Sequence, residues 1–64
     1  MAQDILQVLQ HKLDMAKRYD AAGDNASADW WCMDFDLCRR FAETITDRRF
    51  SVTGWTVSEV STHA

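Results

Sequence analysis

The feature that most limits how this chain can fold is its punctuation. Its 64 residues contain no proline and only two glycines, Gly23 and Gly54. Between them run long stretches without a backbone breaker, and the composition of each stretch differs. From Ala2 to Ala22 good helix formers carry apolar residues at helical spacing, which predicts a helix over about 2–22. The GDNAS segment follows, 23–27, where Gly23 suits a helix C-cap and Asp24, Asn25 or Ser27 suits the next N-cap. A second helical pattern covers about 26–48. After it the chain turns to Val, Thr and aromatics, FSVTGWTVSEVST, which favour extended structure. Residues 49–64 therefore read as an extended tail, a strand or a short hairpin bent at Gly54. There is no internal repeat and no low-complexity segment.

Two helices of about 30 Å joined by a short loop imply an antiparallel helical hairpin, so the fold class is mainly α in one small domain, 1–64. Stepping ~100° per residue sorts the faces. In the first helix Ala2, Ile5, Leu6, Leu9, Leu13 and Ala16 share one face, and Met1, Val8, Met15 and Tyr19 form a shoulder beside it. In the second, Ala28, Trp31, Phe35, Cys38, Ala42 and Ile45 follow a 3-4-3-4 seam like that of a coiled coil. A second stripe, Trp30, Met33, Leu37 and Phe41, runs along its flank. Together these cover an arc of roughly 220°, far more than the ~100° one neighbouring helix needs. The polar remainder is Asp29, Asp36, Arg40, Glu43 and Asp47.

That surplus has to be covered. A chain this short buries only about 60% of its unfolded surface and is marginal alone. Two Cys and two His offer little for disulfides or metal, which leaves oligomerisation. The expectation is a homodimer forming a four-helix bundle, with Val8, Met15, Tyr19, Trp30, Met33, Leu37 and Phe41 at its interface. The competing arrangement is a monomer whose tail lays Trp55, Val57 and Val60 over the second stripe.

Several side chains are candidates for chemistry or contact. Cys32 and Cys38 are about 9 Å apart along one helix, too far for a disulfide, and their spacing is not that of a zinc site. They read as buried free thiols. A metal site would have to recruit His11 or His63. Asp34 interrupts the apolar arc, and the hairpin register brings Lys12 within about a turn of it. It is either paired with Lys12 or offered to a basic group on a partner. Asp36 precedes Arg39 by three and Arg40 by four, a favourable helical pairing. Arg48 and Arg49, beside Asp47, fall at the expected end of the second helix, where cations offset the macrodipole.

The net charge of -3 gives no general pull toward nucleic acid. The N-terminus lacks the basic and apolar regions of a signal peptide, and no apolar run approaches the ~18 residues of a membrane span, so the expected location is cytoplasmic, without membrane contact. No Ser/His/Asp arrangement, glycine-rich phosphate loop or H-E-x-x-H appears, so neither enzymatic activity nor a cofactor is expected. The reading is a non-enzymatic protein-binding module, an inhibitor or adaptor, whose partners are a second copy and one further, unidentified protein with a basic, partly apolar surface. Contact residues for that protein are Asp34, Asp36, Arg39, Arg40, Arg48, Arg49 and Trp55. In size and style the chain resembles compact accessory proteins of phages and mobile elements, and the resemblance implies action on a host protein. The alternatives are a nucleic-acid-binding regulator using Arg39, Arg40, Arg48 and Arg49, and a thiol redox or metal-sensing module.

Overall fold

A computed structural model describes residues 4–60. The chain runs α1 (Ile5–Ala21), α2 (Asn25–Ile45), β1 (Arg49–Thr53) and β2 (Thr56–Val60). The expected positions of Met1, Ala2 and His63 lie outside the described residues.

The helical hairpin owes its tightness to Gly23 and Asp24. Gly23 takes φ 80°, which a β-carbon would oppose. Its N–H donates to the carbonyl of Asp20, and that of Asp24 donates to Tyr19. This pair of bonds is a Schellman motif that satisfies the last carbonyls of α1. Asp24 then caps α2 at once, its carboxylate accepting from the Ser27 backbone N–H at 3.1 Å and the Ser27 hydroxyl at 2.7 Å. The connection is thus shorter than 23–27, and α2 begins at Asn25.

At its far end α2 stops before the expected Arg48. Thr44, Ile45 and Thr46 are β-branched and poor at continuing a helix. Thr46 turns to extended backbone, donates its hydroxyl to the Ala42 carbonyl at 2.7 Å and accepts the Arg48 N–H at 3.1 Å. Asp47 and Arg48 therefore lie in a connector and Arg49 opens β1, yet Arg49 still reaches the end of α2, its guanidinium donating to the Glu43 carbonyl at 3.1 Å.

The tail is a hairpin hinged at Gly54, as its composition suggested. Thr53 pairs with Thr56 and Val52 with Val57, leaving a two-residue turn of Gly54 and Trp55. Only Gly54 has positive φ, 60°, the signature of a type II′ turn matched to strand twist.

The β-hairpin lies across one face of the helix pair, β2 against α1 and β1 against α2. Leu9, Leu13, Phe35, Ala42, Phe50 and Val57 form the core between the layers, with Ile5, Leu6, Cys38 and Trp55 packed at its edges. Two side chains from the helices close the sheet. The Gln10 amide donates to the Trp55 carbonyl at 2.9 Å and accepts the Val57 N–H at 3.0 Å, standing in for a third strand. Glu43 accepts the Phe50 N–H at 2.9 Å on the other edge. Both pairs satisfy backbone groups that a two-stranded sheet leaves unpaired.

Candidate interaction surface

The opposite face of the helix layer is open. Trp30, Met33, Leu37, Phe41 and Ile45 stand in a line on α2, each between 59% and 66% exposed. On the wheel they span about 120°, and their centre lies some 140° from the buried trio Ala28, Phe35 and Ala42. The flank stripe expected from the sequence is therefore fully turned outward. The tail covers the other face: Val57 is buried and Trp55 half-buried against the core, so neither reaches the stripe. Trp55 is correspondingly an inward-packed residue whose carbonyl is held by Gln10, not a free aromatic.

Ile45 departs from the expected seam. A 3-4-3-4 pattern drifts ~20° per heptad on a straight helix, so the last seam position has rotated from the core onto the outer stripe. Ala28, Phe35 and Ala42 hold the core, while Trp31 and Cys38 are half-buried. Val8, Met15 and Tyr19 of α1 are half-buried as well. On the α1 wheel they lie roughly 90–130° from the Leu9–Leu13–Ala16 face, on the side away from Gln10 and hence away from the β-hairpin. They continue the open face beside the α2 stripe.

Trp31 marks the seam between the two helices on this face. Its ring meets Trp30 edge-on at 5.0 Å and His11 edge-on at 6.1 Å, with the Lys12 ammonium 5.8 Å from its centroid. Lys12 forms an ion pair with Asp34, the structural use of that carboxylate anticipated from the register. The hydrogen bond from Lys12 to Asp34 raises the lysine above its ordinary value of 10.5.

The charged flank of α2 is a closed network. Arg39 donates to Asp36 at 2.7 Å and to Glu43 at 3.4 Å, and Arg40 pairs with Asp36 at 3.0 Å. The Arg39 hydrogen bond, followed by burial that opposes it and by the charges of both arginines, holds Asp36 below the usual carboxylate range. A second cluster ties the start of α1 to the connector after α2 and to β2. Arg48 donates both guanidinium nitrogens to Asp4 at 2.7 and 2.9 Å and also reaches Glu59 at 2.7 Å. Asp4, which caps α1 through the Leu6 N–H, is lowered to about 2, first by the Arg48 hydrogen bond. Arg48 is raised in turn by Asp4 and Glu59. Asp47, the neighbour expected to balance this doublet, forms no ion pair among the described residues. Of the four candidate arginines, Arg39, Arg40, Arg48 and Arg49, Arg49 is the one whose described contacts are carbonyls, those of Glu43 and Arg48.

Cys32 is exposed, contrary to the expected buried thiol, and Cys38 is half-buried; both are free. Cys32 falls on the side of α2 that faces the hairpin tip, where the strands do not close over it. There the rim residues Cys32, Arg39 and Val52 surround an open cleft of about 450 Å³ floored by Leu13, Phe35 and Phe50. No group of three or more potential metal ligands occurs among the described residues, and no described helix is long and apolar enough to cross a membrane.

Sequence reasoning missed Gln10, Glu43 and the Asp4–Arg48–Glu59 cluster. The Gln10 and Asp4–Arg48 bonds act across 44 to 47 residues, whereas Glu43 reaches Phe50 only seven residues on, and only the alignment of Gln10 with the polar edge of α1 hinted at a role. Comparison with family models, with curated proteins and with solved structures gives no match.

Proposed function

We propose that this chain is a non-enzymatic protein-binding module whose contact surface is the open face of its helix layer, and that the first occupant of that face is a second copy. The product is a four-helix bundle of two hairpins, with the β-hairpins on its two outer sides. The dimer then offers its charged flanks and strand edges to a further protein as an inhibitor or adaptor.

One observation carries this reading: the unbroken line of five large apolar side chains turned away from the core. Taking about 200 Å² for a full large side chain, the line leaves roughly 600 Å² of apolar surface per copy. That is at the upper end of what monomers expose, about 300–600 Å². Two such faces bury about 1,200 Å², the lower edge of a stable interface, before Val8, Met15 and Tyr19 contribute. The pairing of Arg39 and of Arg48 with two carboxylates each weighs against a phosphate-binding surface built on them.

The test is light scattering on the wild type and on Leu37→Glu/Phe41→Glu. Both positions are exposed, so the double variant keeps its helical circular dichroism. The proposal expects wild type at twice the chain mass and the variant at the mass of one chain. A monomeric wild type, or a dimer untouched by the double change, overturns it.

A further inference from the structure

The spacing of the exposed stripe contains more than an apolar face. Counted from Leu37, Met33 and Phe41 lie four residues to either side, and Trp30 and Ile45 lie seven and eight residues away. The stripe is nearly the same read in either direction. An antiparallel two-fold pair can use this property, because there residue i of one copy meets j of the other while j meets i.

Resting on the self-association reading, we infer that α2 packs antiparallel on the α2 of a second copy, about a two-fold axis that crosses the helix at Leu37. Leu37 then meets its own counterpart, Met33 meets the partner's Phe41, and Trp30 meets the partner's Ile45. Large residues face large residues along the seam, and the two polar side chains within its arc are already engaged, Asp34 by Lys12 and the Thr44 hydroxyl by the Arg40 carbonyl.

The flank supports the same axis. A two-fold axis lying between the layers, perpendicular to α2, brings each flank against the identical flank of the partner. On the charged flank this sets Arg40 within about 3 Å, along the helix, of the level of the partner's Asp36. Arg40 is 71% exposed and pairs with its own Asp36 through Nε at 3.0 Å, and a guanidinium with five N–H donors can serve a second carboxylate across the axis. Two arginines and two aspartates then alternate around the axis with no net charge. On the other flank the same operation brings the α1 shoulder residues Val8, Met15 and Tyr19 toward their counterparts, completing the bundle. A parallel pair, about an axis along α2, instead sets each charged flank beside the partner's α1 and brings no Asp36 to Arg40.

Disulfide trapping in a Cys32→Ser/Cys38→Ser background tests the axis. A disulfide needs Cα atoms within about 7 Å. In the antiparallel pair the two residues at position 30 are about 21 Å apart along the helix, and those at 33 or at 41 about 12 Å. Leu37→Cys is therefore expected to oxidise to a covalent dimer at least about tenfold faster than Trp30→Cys. An equimolar mixture of Met33→Cys and Phe41→Cys is expected to form the mixed dimer in preference to either self-linked one. Fast self-linking of Trp30→Cys means a parallel pair and overturns the inference while the dimer stands. Failure of both Leu37→Cys and the mixture, in protein that light scattering shows to be dimeric, places the axis elsewhere and also overturns it. Monomeric protein removes the self-association reading itself.

Discussion

The Gln10 side chain makes a quantitative case for how this small sheet is held. Its amide meets two backbone groups of β2, accepting from Val57 and donating to Trp55, in a partly buried position. Gln10→Ala removes both partners at once. Each such hydrogen bond contributes about 0.5–1.5 kcal/mol net, and a stranded N–H adds part of its desolvation cost, so the loss is about 2 kcal/mol. For a domain of this size the total stability is on the order of 3–10 kcal/mol, so the change is a large fraction of it. Each kcal/mol moves Tm by about 4–8 °C, which places the variant about 8–16 °C below wild type. The assay is thermal denaturation followed by circular dichroism, at matched protein concentration because association shifts Tm. Hydrogen exchange at Val57 gives a local readout and should accelerate. Asp14→Ala is the control: Asp14 touches the same amide at 2.9 Å, but on the exposed side. Its loss is expected to stay within about 0.5 kcal/mol. A Gln10→Ala variant within about 3 °C of wild type would mean that water replaces the amide, and would refute the pseudo-strand account.

The Lys12–Asp34 pair is part-buried, with side chains 18% and 31% exposed, so its disruption falls between the surface and buried cases. Asp34→Leu is expected to lower stability by about 1 kcal/mol by stranding Lys12, and Lys12→Met/Asp34→Leu to recover most of it in urea denaturation; additive losses would contradict a direct pair. Acid should expose the Asp4–Arg48 cluster. Asp4 sits at about 2 in the folded chain against an ordinary 3.8, and Asp24 and Asp36 are lowered too. Lowered carboxylates stabilise fully above their unfolded values and lose that contribution as pH falls through the folded ones. Tm should hold down to about pH 4.5 and fall toward pH 2, and Arg48→Met should flatten part of that fall; an Arg48→Met profile parallel to wild type would remove the cluster from the explanation.

Local rules made much of this architecture legible. Gly23 followed by Asp24 marks the end of one helix and the start of the next through groups within six residues of each other. Gly54 between β-branched runs marks the hairpin, and Asp36 three and four residues before Arg39 and Arg40 marks an ion pair. Lys12 and Asp34 were legible because each is the odd polar residue on its face and the hairpin register aligns them. The end of α2 was misread because Asp47, Arg48 and Arg49 suit a helix terminus by charge, while the Thr44–Ile45–Thr46 run ends it by backbone preference. Ile45 was misplaced by the drift of a heptad pattern on a straight helix, and Cys32 for a different reason. Periodicity ranks faces by polarity, but which apolar face receives the β-hairpin depends on contacts such as Gln10 to Val57, 47 residues apart. The hairpin chose the face bearing Phe35 and left the Leu37 stripe open, and nothing within either helix dictates that choice.

The central claim is that the open α2 face is the surface that gets covered. Hydroxyl-radical footprinting of Met33 across a wide range of protein concentration tests it most directly, because the Met33 side chain is 66% exposed in a single chain and its thioether oxidises readily. The account predicts that Met33 becomes protected as concentration rises, while its reactivity in Leu37→Glu/Phe41→Glu stays high throughout. Met33 oxidising at the same rate at every concentration, in wild type as in the variant, would contradict it.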